Sequence, residues 1–249
     1  MGLEQLSQLE LLQYVLIIVF VGIALASGVK IIIRYFKYKV RILLTFGLTW
    51  IFLSSAWWGS AIIFFLILSN LPLIYEFDLL IEHVFLPVGL ILWTYSFCEV
   101  SYPHLKKTLL PLIIILGTLY EVLLLYFLLT DPAVIGRQTG EYETTKTIFT
   151  QSFTAIILAV FIITGVIFSM KSLQTNDLRI VWKGRFLLVA FVSMAIGAVL
   201  NLIWDFNILP KNAITLVIIR IFLIVSSIFY YLGFHLPEGL ARRLIKELK

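Results

Sequence analysis

Two ionisable residues occupy positions that an apolar sequence rarely grants them. Glu121 follows LLPLIIILGTLY and precedes VLLLYFLL, and Arg220 lies within AITLVIIRIFLIV. A lone charge at such depth in hydrocarbon costs several kcal/mol, so each needs a counter-charge, water or a ligand. A glutamate there is either protonated or paired. An arginine keeps its proton and offers a fixed fork of donors to a carboxylate or another anion.

Other polar residues fall at comparable depth. Glu82 and His83 stand near one end of an apolar run, about 100° apart on a helix. Asn201 and Asp205 are four residues apart and share a helical face. Ser193 and Gly197 continue that face with the small-residue spacing that lets helices approach closely. The chemistry open to Glu82, His83, Glu121, Asn201, Asp205 and Arg220 is ion pairing, proton exchange or capture of a small polar ligand. Pairing among themselves, purely to fix helix packing, is the plainest alternative. Zinc on Glu82, His83 and one further carboxylate is disfavoured, because HExxH is missing and no repeated carboxylate pattern replaces it. The single Cys98 rules out an internal disulfide and a thiolate cluster. Haem is disfavoured because His83 is expected far from His104 and His235. No G-x-S-x-G and no glycine-rich phosphate loop occurs, so no cofactor, metal or catalytic residue is assigned, and an enzyme is not the expectation.

The elements that must position these residues are apolar helices. Hydrophobic residues make up 61% of the 249, and charged residues 13%. A soluble domain of that size could not cover so much apolar surface. Seven runs are long enough to cross about 30 Å of hydrocarbon at 1.5 Å per residue. They span about 11–33, 42–69, 79–98, 108–130, 148–170, 184–206 and 213–235. The second is longer than a crossing needs and is expected to tilt or protrude. The first is expected to stay as a helix: Glu4 and Glu10 precede it where a signal peptide needs basic residues.

The connecting segments alternate in charge. Fifteen of the nineteen Lys and Arg residues fall on the side of RYFKYKVR and the tail; the exceptions are Arg137, Lys146, Lys211 and Arg220. That bias predicts an all-α, seven-helix, multi-pass bundle with its N-terminus outside and its C-terminus in the cytoplasm, most naturally in the plasma membrane. It also argues against nucleic acid as a partner, since the basic residues form no single patch. After Pro237, residues 238–249 read as a short amphipathic helix on the inner leaflet, its basic residues toward lipid headgroups or toward a signalling partner.

In this orientation Glu82, Glu121, Asn201, Asp205 and Arg220 all fall in the outer half. Bundles turn such residues inward, so they are expected to form one polar pocket opening outward. Trp50, Trp57, Trp58 and Trp93 are expected to close it below, with Trp204 among the lining residues. Helix number and orientation resemble those of the microbial rhodopsins and the G-protein-coupled receptors, over the whole chain but through no motif. The lysine that a retinal Schiff base needs is missing from IIRIFLIVSSIFYY, so no residue role is carried across. The expected function is a receptor-like sensor that binds a small molecule or a proton outside and reports to a separate cytoplasmic protein. A transporter, or a structural subunit of a larger complex, is the alternative. The transporter would need polar groups in the inner half, where Thr45, Trp93, Thr94, Cys98, Thr164 and Ser169 are the main polar or semi-polar ones.

Overall fold

The computed structural model describes residues 6–140, 144–205 and 208–246, the side chains of Asp205, Ile245 and Lys246 excepted. Seven helical spans are long and apolar enough to cross a membrane: Gln8–Tyr38, Arg41–Leu68, Tyr75–Ser101, Pro103–Thr130, Ile148–Leu173, Leu178–Trp204 and Ala213–Phe234. The protein is therefore an integral, multi-pass α-helical membrane protein.

The first span is one helix, α1 (Gln8–Tyr38). Ser7 and Glu10 start it with reciprocal bonds: Ser7 N–H donates to Glu10 Oε2 (2.8 Å), and Glu10 N–H to Ser7 Oγ (3.2 Å). This capping box satisfies two of the donors that a helix start leaves open.

The second and third spans are broken. α2 (Arg41–Leu53) passes through a 3₁₀ turn at Ser54–Trp57 into α3 (Trp58–Leu68). α4 (Tyr75–His83) gives way to α5 (Leu86–Ser101), whose second residue is Pro87. Proline has no N–H to continue a helical ladder, so an interruption just before it costs little. The two breaks face each other. Ser55 Oγ donates to the carbonyl of Glu82 across them (3.4 Å). Carbonyls freed in this way inside a membrane need donors, and side chains here supply them.

The remaining spans are α6 (Lys106–Thr130), α7 (Ile148–Leu173), α8 (Leu178–Asp205) and α9 (Ala213–Phe234), followed by a short α10 (Glu238–Lys246). The α6–α7 connection holds an antiparallel hairpin of β1 (Gly136–Gln138) and β2 (Thr144–Lys146), with Gly136 opposite Lys146. α8 and α9 share the most extensive contact, and α1 packs against both α2 and α9. α6 lies at the periphery, with Leu112, Ile115, Leu119, Val122, Tyr126 and Leu129 exposed.

The bundle centre is aromatic. Trp50 stacks on Tyr230 at 4.0 Å, Phe46 lies 4.1 Å from Phe234, and Trp93 meets Phe161 edge-on at 4.8 Å. Trp93 Nε1 donates to Thr164 Oγ1 (2.7 Å), and Tyr230 Oη to the carbonyl of Phe46 (3.1 Å). These bonds satisfy the polar ends of rings that would otherwise be costly to bury.

α1 and α2 cross at a pair of glycines. A Cβ on Gly47 would fall 2.7 Å from the carbonyl oxygen of Gly28, and one on Gly28 would fall 2.9 Å from that of Gly47. Backbone atoms cannot yield as a flexible side chain does. Gly47→Val is therefore expected to cost about 1–3 kcal/mol, the range for overpacking. Gly22→Ala on the same helix as Gly28 should change little, because nothing lies within 4 Å of that position. Thermal unfolding of the two variants in one detergent checks the contrast; equal losses would count against the close crossing.

On the side of the bundle opposite the start of α1, His235 lies just past α9, half-buried. Its imidazole pKa is pulled down to about 4, first by burial and then by Arg34, Lys183 and Lys30. The folded protein thus holds His235 neutral at a pH where an unfolded histidine, near 6.5, takes up a proton. Stability from this group is complete above about 6.5 and is lost as the pH falls toward 4. His235→Gln should flatten that part of the stability–pH curve, measured as melting temperature against pH. Unchanged curves would mean that the imidazole is not held neutral.

Candidate functional site

A cavity of about 490 Å³ opens among the helix ends on the side where α1 begins. This is within the range of small-molecule sites, roughly 300–1,000 Å³. Each wall comes from a different element. α1 contributes Glu10, Gln13, Tyr14 and Ile17; the broken second span contributes Ala56, Trp57, Ser60 and Ile63. α4 supplies Asp78 and Glu82, the hairpin supplies Thr144, Thr145 and Lys146, and α7 supplies Gln151. Asn201 and Trp204 of α8 and Arg220 of α9 close the far side, with Lys211 at the rim.

The acidic wall is built by helical spacing. Asp78 and Glu82 are four residues apart on α4, so their side chains lie on one face. Both are buried, at 4% and 6% exposure. They fit because residue 59 is glycine. A Cβ on Gly59 would come against Asp78 Oδ1 and lie 2.6 Å from Glu82 Oε1. Asp78 Oδ1 is enclosed without a well-formed hydrogen bond from a described residue, and the Thr144 hydroxyl and Lys146 of the hairpin stand beside its carboxyl group.

Lys146 reaches into this wall from the hairpin. Its Nζ lies 3.0 Å from Glu82 Oε2 and 3.5 Å from the carbonyl of Ala56, which the 3₁₀ turn leaves open. The hairpin is itself tied down. Tyr75 Oη donates to the carbonyl of Gly136, Thr147 Oγ1 to that of Ile135 (3.1 Å), and Thr150 Oγ1 to the same carbonyl (2.9 Å).

The basic wall is Arg220. It is the eighth residue of α9, about 10 Å along the helix from its first residue. It is only 4% exposed, and its Nη1 donates to Asn201 Oδ1 at 3.3 Å.

Of the residues singled out in the sequence, Glu82, Asn201, Arg220, Trp57 and Trp204 line this cavity. The side chain of Asp205 lies outside the described residues. His83 does not line the cavity. It is buried, 1% exposed, with neither nitrogen hydrogen-bonded to a described residue. Glu121 is also separate: it stands half-buried on the peripheral α6, its Oε1 enclosed without a partner among the described residues. The expected deep member of the polar cluster is thus on the wrong helix to join it. Trp58 and Trp93 are not lining residues either. Trp58 Nε1 donates to Ser54 Oγ (3.1 Å) with its ring toward Phe85, and Trp93 belongs to the aromatic centre, as does Trp50.

Asp78 and Lys146 escape a reading of the sequence alone. Asp78 carries a readable signal, its four-residue spacing from Glu82, but that signal is hidden while 70–78 is taken as a connection. Lys146 carries none, because the sequence does not say where a loop folds back. Among the described residues, no group of three or more His, Cys, Asp and Glu side chains converges as a metal site.

Together the fold and the cavity define a seven-span membrane protein with a charged chamber on one side and an aromatic layer beyond it. No protein-family model, no curated protein and no solved structure matches the chain.

Proposed function

We propose that this is a receptor-like sensor of the plasma membrane that binds a small polar solute in the cavity from outside. The carrying observation is the cavity's construction. Buried ionisable residues of both signs, Asp78, Glu82 and Arg220, come from separate elements to line one space large enough for a ligand. The uneven distribution of Lys and Arg supports placing the cavity outside and the tail in the cytoplasm. The aromatic layer supports binding over passage, because stacked rings fill the bundle centre.

α9 offers the connection between the two sides. Arg220 is at the cavity, and Tyr230 and Phe234 of the same helix are locked into the aromatic layer. α10 follows α9 within a few residues and packs on α8. A ligand that prefers one packing of α9 would shift the population of that packing and so the surface shown to a cytoplasmic partner.

The test is a thermal-shift screen of small polar solutes on the protein in lipid nanodiscs, beside a Ser60→Trp variant that fills the cavity. At least one solute should stabilise the wild type saturably and leave Ser60→Trp unmoved. If none separates the two proteins, the sensor reading fails.

A second reading, solute or proton conduction, draws on one feature. The hydroxyls of Thr49, Thr94, Ser226 and Ser227 are buried without protein partners among the described residues, which leaves polar groups inside the helices beyond the cavity. Proteoliposome flux that is lost on Arg220→Gln would favour it over sensing.

A further inference from the structure

We propose that the Asp78–Glu82 wall is a site for a primary ammonium group, and that Lys146 occupies it as a tethered stand-in which an amine-bearing ligand displaces. The inference rests on the cavity reading above and adds the ligand's chemical class.

The acceptors belong to the bundle and the donor does not. Glu82 Oε2 and the Ala56 carbonyl converge on Lys146 Nζ at 3.0 and 3.5 Å. Both lie beside the facing helix breaks of the second and third spans. Carboxylate and carbonyl oxygens set around one point suit an ammonium, a compact cation with three donors, better than a planar guanidinium fork.

Asp78 Oδ1 provides a further acceptor. It is buried at the cavity wall, one helical turn from Glu82, without a well-formed hydrogen bond from a described residue. An acceptor left open in such a place is expensive unless something polar reaches it. Lys146 lines the same cavity and stands near both carboxylates, so a ligand ammonium entering there would meet the acceptors that the lysine now faces.

The donor sits on a three-residue strand whose only β partner among the described residues is the other arm of its own hairpin. Its side chain is a third exposed, against 8% for Glu82. Such a side chain can swing toward solvent while the hairpin stays bound to α4 through Tyr75. Its departure would open the cavity wall and free Glu82 and the Ala56 carbonyl for a ligand.

The test uses n-butylammonium chloride, the lysine side chain cut from its backbone. Wild type and Lys146→Ala in nanodiscs are titrated at constant ionic strength, with butanol, tetramethylammonium chloride and sodium butyrate as controls. Lys146→Ala should melt below wild type and recover saturably with n-butylammonium alone. Glu82→Gln added to Lys146→Ala should abolish the response. Wild type should need about tenfold more amine or greater, because its own lysine competes at an effective concentration on the order of millimolar. Where Lys146→Ala does not fold, Lys146→Met keeps the apolar stem and takes its place, read beside the wild-type titration. No saturable response to n-butylammonium in a folded Lys146 variant and in wild type overturns the inference. Should butyrate or butanol stabilise instead, the ammonium assignment falls while the ligand cavity stands. Loss of the cavity reading itself shows separately, as failure of Ser60→Trp to block any solute.

Discussion

Lys146→Glu is expected to be among the most damaging single substitutions on this surface, and Glu82→Lys combined with it should restore much of the loss. The wild-type pair is asymmetric: the Glu82 side chain is 8% exposed and the Lys146 side chain 33%. Breaking a fully buried pair typically costs about 3–5 kcal/mol, because one charge stays buried and unanswered. Solvent at Lys146 screens part of that, so about 2–3 kcal/mol is the fitting scale here. Reversal rather than removal adds a third carboxylate beside Asp78 and Glu82. It also turns an acceptor toward the Ala56 carbonyl, which had a donor. In the doubly reversed protein the ammonium at position 82 meets the carboxylate at position 146 and also lies one turn from Asp78. Ala56 keeps no donor, so recovery should stop short of wild type. The measurement is a double-mutant cycle on melting temperature in nanodiscs. Additive losses, with no recovery in the double variant, would mean that Lys146 and Glu82 do not meet.

That cycle concerns a contact the sequence could not display, and the reason is general to membrane bundles. The spans themselves are legible, because a run of apolar residues long enough for hydrocarbon has few other uses. Arg220 and Asn201 are legible as members of one polar cluster for the same reason, but the sequence points to a carboxylate as the arginine's partner, and the amide of Asn201 is what the structure places on it. Depth, however, is only one coordinate. Glu121 stands at a suitable depth but on α6, which packs on α5 and leaves most of its surface outside. Nothing in the sequence says which helix is peripheral. The break at Ser54–Trp57 is less legible, since it contains no proline and Gly59 just past it reads as an ordinary helix-packing glycine, whereas Pro87 announces the break in the third span. The less legible break matters most, because it frees the Ala56 carbonyl for Lys146 and faces the end of α4. Asp78 is lost through a boundary: α4 begins at Tyr75, so a residue that reads as part of a loop is one turn before Glu82 on the same face. Lys146 counts as an external loop charge until the hairpin carries it back onto the bundle.

The second large effect is expected at a residue with no side chain. Gly59→Ala should remove any response of the cavity to n-butylammonium and lower thermal stability by about 1–3 kcal/mol, as overpacking of a tight contact does. Gly59 opens the first full turn of α3, where the helix resumes after its 3₁₀ interruption. A methyl group there would press on Asp78 Oδ1 and would lie 2.6 Å from both Cγ and Oε1 of Glu82. The carboxylates have little room to retreat, because Leu79 between them is buried and α4 is bound to the hairpin through Tyr75. Pushing Glu82 aside lengthens its contact with Lys146, so a steric change of one carbon becomes an electrostatic one. Ser60→Ala, one residue on, changes a half-buried cavity residue without adding volume and should leave stability close to wild type. Glu82→Asp supplies the compensating test. Shortening the carboxylate by one methylene withdraws it from position 59, so Gly59→Ala should cost less in that background than in the wild type. Equal costs in both backgrounds would mean that the glycine is not making room for Glu82, and that the acidic wall owes its position to something other than the missing Cβ.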